Sequence, residues 1–261
     1  MSSILWNKLD ILLYLHREIY MKISEYIAFT IDRLPKGYVF TYKDFIEEVN
    51  NKEAVIKSLN RMAAAGKIKK IAKGKYYKVK TTVFGDLQPN QKQIVKDLIE
   101  KNGKIIGYIT GYSIYNRLGL TTQVSGTIQI GKNEVRSSFK RGLYRISFIK
   151  QKNIISKENI PLLQILDAIR YIKKIPDASI QSACKRFAAI IKELSEKEKT
   201  TIVRLALKYP PSTRALLGAL LEEIGDGSLT ESLQKSLNPI TTYKLPGAIK
   251  FLTTTEKWNI K

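Results

Sequence analysis

The sequence predicts a predominantly helical α+β protein: a helix-rich N-terminal module closed by a hairpin, a small α+β middle region and a helical C-terminal region. Three observations carry that reading. Apolar residues recur every three or four positions over residues 20–65 and again after Ile160, which is the helical period. Between those stretches, Thr127–Ile130 and Leu143–Ile149 are short strand-forming runs parted by a polar connection. Composition is the third: with 44% hydrophobic and 26% charged residues, the chain can bury real cores and is not a disordered polymer.

Residues 4–20 are expected to form an amphipathic helix, set apart as an N-terminal segment over 1–19, and Met21 opens a cleaner pattern. From Tyr20 to Arg33, Ile23, Ile27, Ile31 and Leu34 share one face of a helix that Pro35 and Gly37 end. Thr41, with Asp44 three residues on, has the form of a capping box and starts a short helix to about Val49. Asn50 and Asn51 stop that helix and can cap the next, Lys52–Ala65. Its inner face is Val55, Ile56, Leu59, Met62 and Ala63, and Gly66 marks its end.

The runs KIKKI and KYYKV, joined through Ala72–Lys73–Gly74, read as a β-hairpin, with Ile68, Ile71 and Tyr77 expected to hold it against the helices. Helix, short helix, second helix after a tight break, then hairpin: that order, over residues 20–82, is a winged helix-turn-helix. In such a domain the third helix enters the major groove and the hairpin wing follows the phosphates.

Residues 81–91 read as a linker, punctuated by Gly85 and Pro89. A helix is expected to about Lys101 and a brief one around Ser113–Leu118. Later helices are expected over about 160–174, 178–194, 197–209 and 211–224, with Pro176 and Pro210–Pro211 between them. Residues 90–225 thus make one α+β and helical domain, and 226–261 a loop-rich tail.

Charge narrows the function. The formal net charge is +22, with excesses of 8, 8 and 6 over residues 1–82, 83–155 and 156–261, so the field belongs to the whole chain. Such a field attracts nucleic acid or an acidic partner. Cys184 is the only cysteine, which excludes an internal disulfide framework and a cysteine-based zinc site. Its apolar neighbours Phe187 and Ala188 mark it as a small buried residue. A lone cysteine and the lack of a long apolar run favour a cytoplasmic protein without a membrane partner.

Enzyme parts are scarce. His16 is the only histidine, which excludes His-based triads and multi-histidine metal sites. No Asp or Glu has Lys two residues later and no Asp-x-Asp pair occurs, so common nuclease and two-metal transfer arrangements are absent. The run GYITGYSIYNRLGL lacks the Gly-Lys-Ser/Thr ending of a phosphate loop, and Tyr108, Tyr112 and Tyr115 read as packing residues. Glu196, Glu198, Glu222 and Glu223 read as surface residues. No catalytic residue, metal or cofactor is expected.

Binding residues are easier to place. On the third helix the face opposite the core carries Glu53, Lys57, Asn60 and Arg61, with Lys52 at its start. Asn and Arg suit bidentate readout of adenine and guanine edges, whereas Lys anchors phosphate. The hairpin adds Lys67, Lys69, Lys70, Lys73 and Lys75. A second basic cluster, Arg136, Lys140, Arg141 and Arg145 interleaved with Phe139 and Tyr144, suits RNA, DNA or an acidic protein, or equally a charge-protected strand edge.

The module GYVFTYKDF to KGKYYK, followed by FGDL, GYITGYSIYNRLGLTTQV and PPSTRALLGALLEE, resembles the AbiEi-type antitoxins of type IV (abortive infection AbiE) toxin–antitoxin systems over residues 20–225. TGYSIYNRLGLTTQV is the most specific part. The resemblance implies a winged helix that represses its own promoter through Lys57, Asn60, Arg61 and the wing lysines. It also implies that residues 90–225 neutralise a nucleotidyltransferase-like toxin. The rival expectation is a winged-helix adaptor that binds an acidic protein partner without reading DNA sequence.

Overall fold

The computed structural model of the protein describes residues 22–261, so the helix expected over 4–20 and His16 lie outside the described residues. The fold is α+β, with 11 α-helices among the described residues. It divides into two compact units, one running to Asp97 and including Arg141–Leu143, the other comprising Leu98–Lys140 and Tyr144–Lys261.

In the first unit, helix α1 (Ile23–Arg33), strand β1 (Val39–Thr41), helix α2 (Lys43–Val49), helix α3 (Lys52–Ala64) and strands β2 (Ile68–Ala72) and β3 (Lys75–Lys78) follow one another. The strands form an antiparallel sheet in the order β1-β3-β2. Ile27, Ile31, Phe40, Phe45, Val55, Leu59, Ile68 and Tyr76 are buried together between helices and sheet. Local chemistry explains the breaks. Asp44 accepts the Thr41 amide at 2.6 Å and its hydroxyl at 3.0 Å, satisfying groups at the start of α2. Asn50, at φ 42°, ends α2, and the Asn51 side chain accepts the Ala54 amide at 3.0 Å to start α3.

Residues 81–91, expected as a linker, instead hold all but the first residue of a small ribbon of β4 (Lys80–Thr82) and β5 (Gly85–Leu87). The Thr81 hydroxyl donates to Asp86 at 2.6 Å across it, and Val83 and Phe84 stand in solvent at its turn. The helix expected to Lys101 is two single turns, α4 (Gln91–Ile94) and α5 (Lys96–Ile99). The Ile94 carbonyl accepts the Arg141 guanidinium at 2.7 Å there, a side-chain partner in place of a continuing helical ladder.

The second unit opens with a short ribbon, β6 (Glu100–Lys101) and β7 (Lys104–Ile105). Strands β8 (Tyr108–Thr110), β9 (Thr127–Lys132), β10 (Phe139–Arg141) and β11 (Tyr144–Lys150) form a sheet in the order β10-β11-β9-β8, with β9 and β11 parallel. Helix α6 (Tyr112–Arg117) interrupts the strands. After them come α7 (Asn159–Arg170), α8 (Ile180–Lys192), α9 (Glu196–Ala206) and α10 (Pro211–Glu223), close to the four later helices expected, and then α11 (Glu231–Lys235) in the segment expected to be loop-rich. The tail is no loose appendage. Trp258 is fully buried against Gly218, where a β-carbon would lie 2.1 Å from the indole. Glu222, expected at the surface, is half-buried and accepts the Trp258 indole N–H at 3.0 Å. No helix among the described residues is long and apolar enough to cross a membrane.

Candidate nucleic-acid interface

Helix α3 buries Val55, Ser58 and Leu59 and leaves Lys52, Glu53, Lys57, Asn60 and Arg61 exposed, the two faces its 3.6-residue period demands. The Gly66 and Lys67 amides close on the Ala63 and Met62 carbonyls at 3.2 and 3.1 Å, so the chain leaves α3 at a fixed angle. Two positions on the exposed face are held in place. The Tyr76 phenol donates to Asn60 Oδ1 at 2.7 Å, and the Lys52 ammonium stands 5.4 Å from the centre of the Tyr42 ring. Lys57 and Arg61 extend into solvent.

The β2–β3 hairpin turns at Lys73–Gly74, where Gly74 has φ +69°, a conformation that a β-carbon disfavours. Tyr76 and Ile68 face the helices. Tyr77, its neighbour on β3, faces the other way and its phenol meets the Gln88 side chain. Ile71 packs beside Gly142 after the register shift between Lys70 and Ala72. Of the three residues expected to hold the hairpin to the helices, Ile68 does so and Tyr76 replaces Tyr77 and Ile71, because the strand period and the bulge send those two to the opposite face.

The hairpin lysines therefore differ. Lys67, Lys70 and Lys73 are exposed. Lys69 pairs with Asp86 at 2.7 Å; hydrogen bonding to Asp86 raises the lysine, and hydrogen bonds from Lys69 and Thr81 lower the carboxylate. Lys75 is half-buried and lies 3.1 Å from Asp97.

The second cluster separates in the same way. Arg141 is only 6% exposed and binds Asp97 through Nη1 at 2.7 Å and Nη2 at 3.2 Å, so it braces the first unit rather than facing a ligand. Burial raises Asp97, but Arg141 and Lys75 outweigh it and hold the carboxyl below its usual range. Arg136, Lys140 and Arg145 remain exposed. The Arg136 guanidinium lies 4.4 Å from the Phe139 ring centre and 5.4 Å from that of Phe148, and the two rings stack at 6.2 Å. Arg145 donates to the Ser138 hydroxyl at 3.2 Å.

One constellation escaped sequence reasoning. Asp167 is 1% exposed and accepts from Tyr108 at 2.7 Å, Thr110 at 3.0 Å and Tyr209 at 2.8 Å. Gln151 donates to both phenols at 2.8 Å. Burial pushes Asp167 up to about 6 although the three hydroxyl donors pull the other way, and it raises both phenols strongly. The members come from strand β8, helix α7 and the segments just after β11 and α9, and no local spacing links them. Cys184 is buried too, which pushes its thiol up to about 12. Among the described residues no group of three or more His, Cys, Asp or Glu side chains could hold a metal ion.

The solved structure of the RV2827C protein from Mycobacterium tuberculosis has a TM-score of 0.57 to this chain at 11% identity, covering 85% of this chain and 83% of that one, a likeness of fold alone. No curated protein matches the chain. The family described as "Family of unknown function (DUF6088)" matches residues 26–202, and the chain belongs to it.

Proposed function

We propose that the protein is a DNA-binding transcriptional repressor whose first unit is a winged helix-turn-helix. One observation carries this: Lys57, Asn60 and Arg61 on the exposed face of α3 stand in the same unit as a hairpin bearing exposed Lys67, Lys70 and Lys73. A helix presenting Asn and Arg matches base-edge readout in the major groove, and a lysine-bearing hairpin matches phosphate tracking beside it. The tight Asn50–Asn51 break, which sets α2 against α3, supports the same reading. The Arg136–Phe139–Phe148 platform, with Lys140 and Arg145, is a further surface for a polyanion.

The resemblance to AbiEi-type antitoxins extends the proposal: the second unit neutralises a nucleotidyltransferase-like toxin, and the first represses the promoter of the pair. A promoter–reporter fusion carrying the DNA upstream of the gene tests the repressor half. The parent chain lowers reporter output, and Asn60→Ala/Arg61→Ala restores it with the protein still folded. Equal repression by that variant would reject α3 as the reading helix. A chain that binds an acidic protein and leaves the reporter untouched would support the adaptor instead.

A further inference from the structure

We propose that the second unit binds a ligand carrying linked phosphoryl groups, a nucleoside di- or triphosphate or inorganic polyphosphate, in the hollow around the start of α10. The proposal is independent of the repressor reading. A hollow of about 650 Å³ is lined by Lys150, Lys152, Arg170, Lys208 and Arg214, with Gln151 and Tyr209 also on its wall and no carboxylate. An adjoining hollow of about 480 Å³ shares Arg170 and Pro210, adds Lys173, Lys174 and Lys244, and again has no carboxylate. None of these eight cations forms a salt bridge among the described residues, and only Arg170 has a carboxylate near enough to matter, the buried Asp167 whose carboxyl it helps to lower, so most of their mutual repulsion is uncompensated. Like charges gathered around a concave surface are what a polyanion neutralises.

A second observation concerns residues of the same walls. The Thr213 hydroxyl is enclosed, on a residue 1% exposed, and has no hydrogen-bond partner. Arg214 Nε and the Tyr243 hydroxyl are also enclosed without a partner, and all three residues line the two hollows. Buried polar groups are rarely left so, and donors of these types are ones an oxyanion accepts from. They stand at the first turn of α10 or opposite it, and that helix has Pro210 as its cap with no side-chain capping bond. Its positive end adds to the field.

Shape favours a small ligand. An extended duplex would meet the exposed lysines at the rims but would not enter hollows of about 650 and 480 Å³. Tyr171, Leu216 and Ile260 in the adjoining hollow offer an apolar and aromatic wall for a base. Arg170 and Lys174 already lie over the Tyr171 ring, at 5.0 and 5.3 Å, which holds them toward it.

Isothermal titration of the full chain with ATP and with inorganic pyrophosphate, at about 150 mM salt to screen diffuse attraction, tests the proposal. Saturable one-to-one binding is expected, weakened roughly tenfold or more in Arg170→Ala/Arg214→Gln, as loss of two charge-assisted contacts requires. Thr213→Val, nearly isosteric and far less disruptive, should weaken it about threefold. ATP binding more tightly than pyrophosphate would assign a nucleotide; equal binding would assign a polyphosphate. Absence of saturable binding, or binding that both variants keep while circular dichroism shows them folded, would overturn it.

Discussion

The phenol of Tyr76, on the sheet, donates to Oδ1 of Asn60, on the exposed face of α3, at 2.7 Å. The bond ties the predicted wing to the predicted reading helix. It also orients the Asn60 amide, leaving Nδ2 and one lone pair of Oδ1 outward, the pair of groups that adenine N7 and N6 require. Tyr76→Phe should therefore lower operator affinity about three- to tenfold and destabilise the fold by about 1 kcal/mol, the net worth of one hydrogen bond. Anisotropy titration and denaturant unfolding read the two effects. Unchanged affinity would mean that Asn60 does not read bases.

The hairpin lysines should separate by their partners. Lys73→Ala removes an exposed cation and should lower the log–log salt slope of DNA binding by about 0.9. Asp86→Asn should steepen the slope, because it releases Lys69 from its 2.7 Å pair. Both follow from titrations at several salt concentrations. A slope untouched by either change would remove the hairpin from the DNA interface.

Asp97 should matter to stability rather than to binding. Asp97→Asn leaves Arg141, 6% exposed, with only part of its partners, and relaxes Lys75. The expected loss is about 1–3 kcal/mol in denaturant unfolding, below the range for a fully buried pair because Asp97 itself is partly solvated. Its folded value is depressed, so this stability is present above the unfolded carboxylate value near pH 4 and lost as the pH falls below it.

Asp167 should give the opposite slope. Its folded value of about 6 lies above the ordinary 3.8, so the folded state holds the proton longer and stability falls as the pH rises from about 4 through about 6. At about 1.4 kcal/mol per pH unit the full change is about 3 kcal/mol. Asp167→Asn removes this dependence, so the difference in unfolding free energy between parent and variant should change over that interval and be flat above it. A constant difference from pH 4 to 7 would show that the carboxylate is not held above its usual value.

The elements legible in the sequence were those with local signals. The Thr41–Asp44 pair, the Asn50–Asn51 break and the period of Val55 and Leu59 are short-range patterns, and they locate α2 and α3 within a residue or two. Long-range partners were hidden. Nothing near Arg141 announces Asp97, 44 positions away, so a buried brace looked like one more surface cation. Tyr77 looked like the inward residue of its strand because a bulge at Ile71 cannot be seen in a lysine-rich run. The anchors of the C-terminal segment, Leu245, Leu252, Trp258 and Ile260, follow no regular period and read as loop although they are buried.

The most direct test of the central claim is anisotropy titration of the full chain against the DNA upstream of its own gene and against a scrambled duplex, at about 50 and 200 mM salt. A preference for the upstream DNA that survives the higher salt and is lost in Asn60→Ala/Arg61→Ala is expected. Equal affinity for both duplexes, collapsing together as salt rises, would contradict it and leave a basic surface without sequence readout.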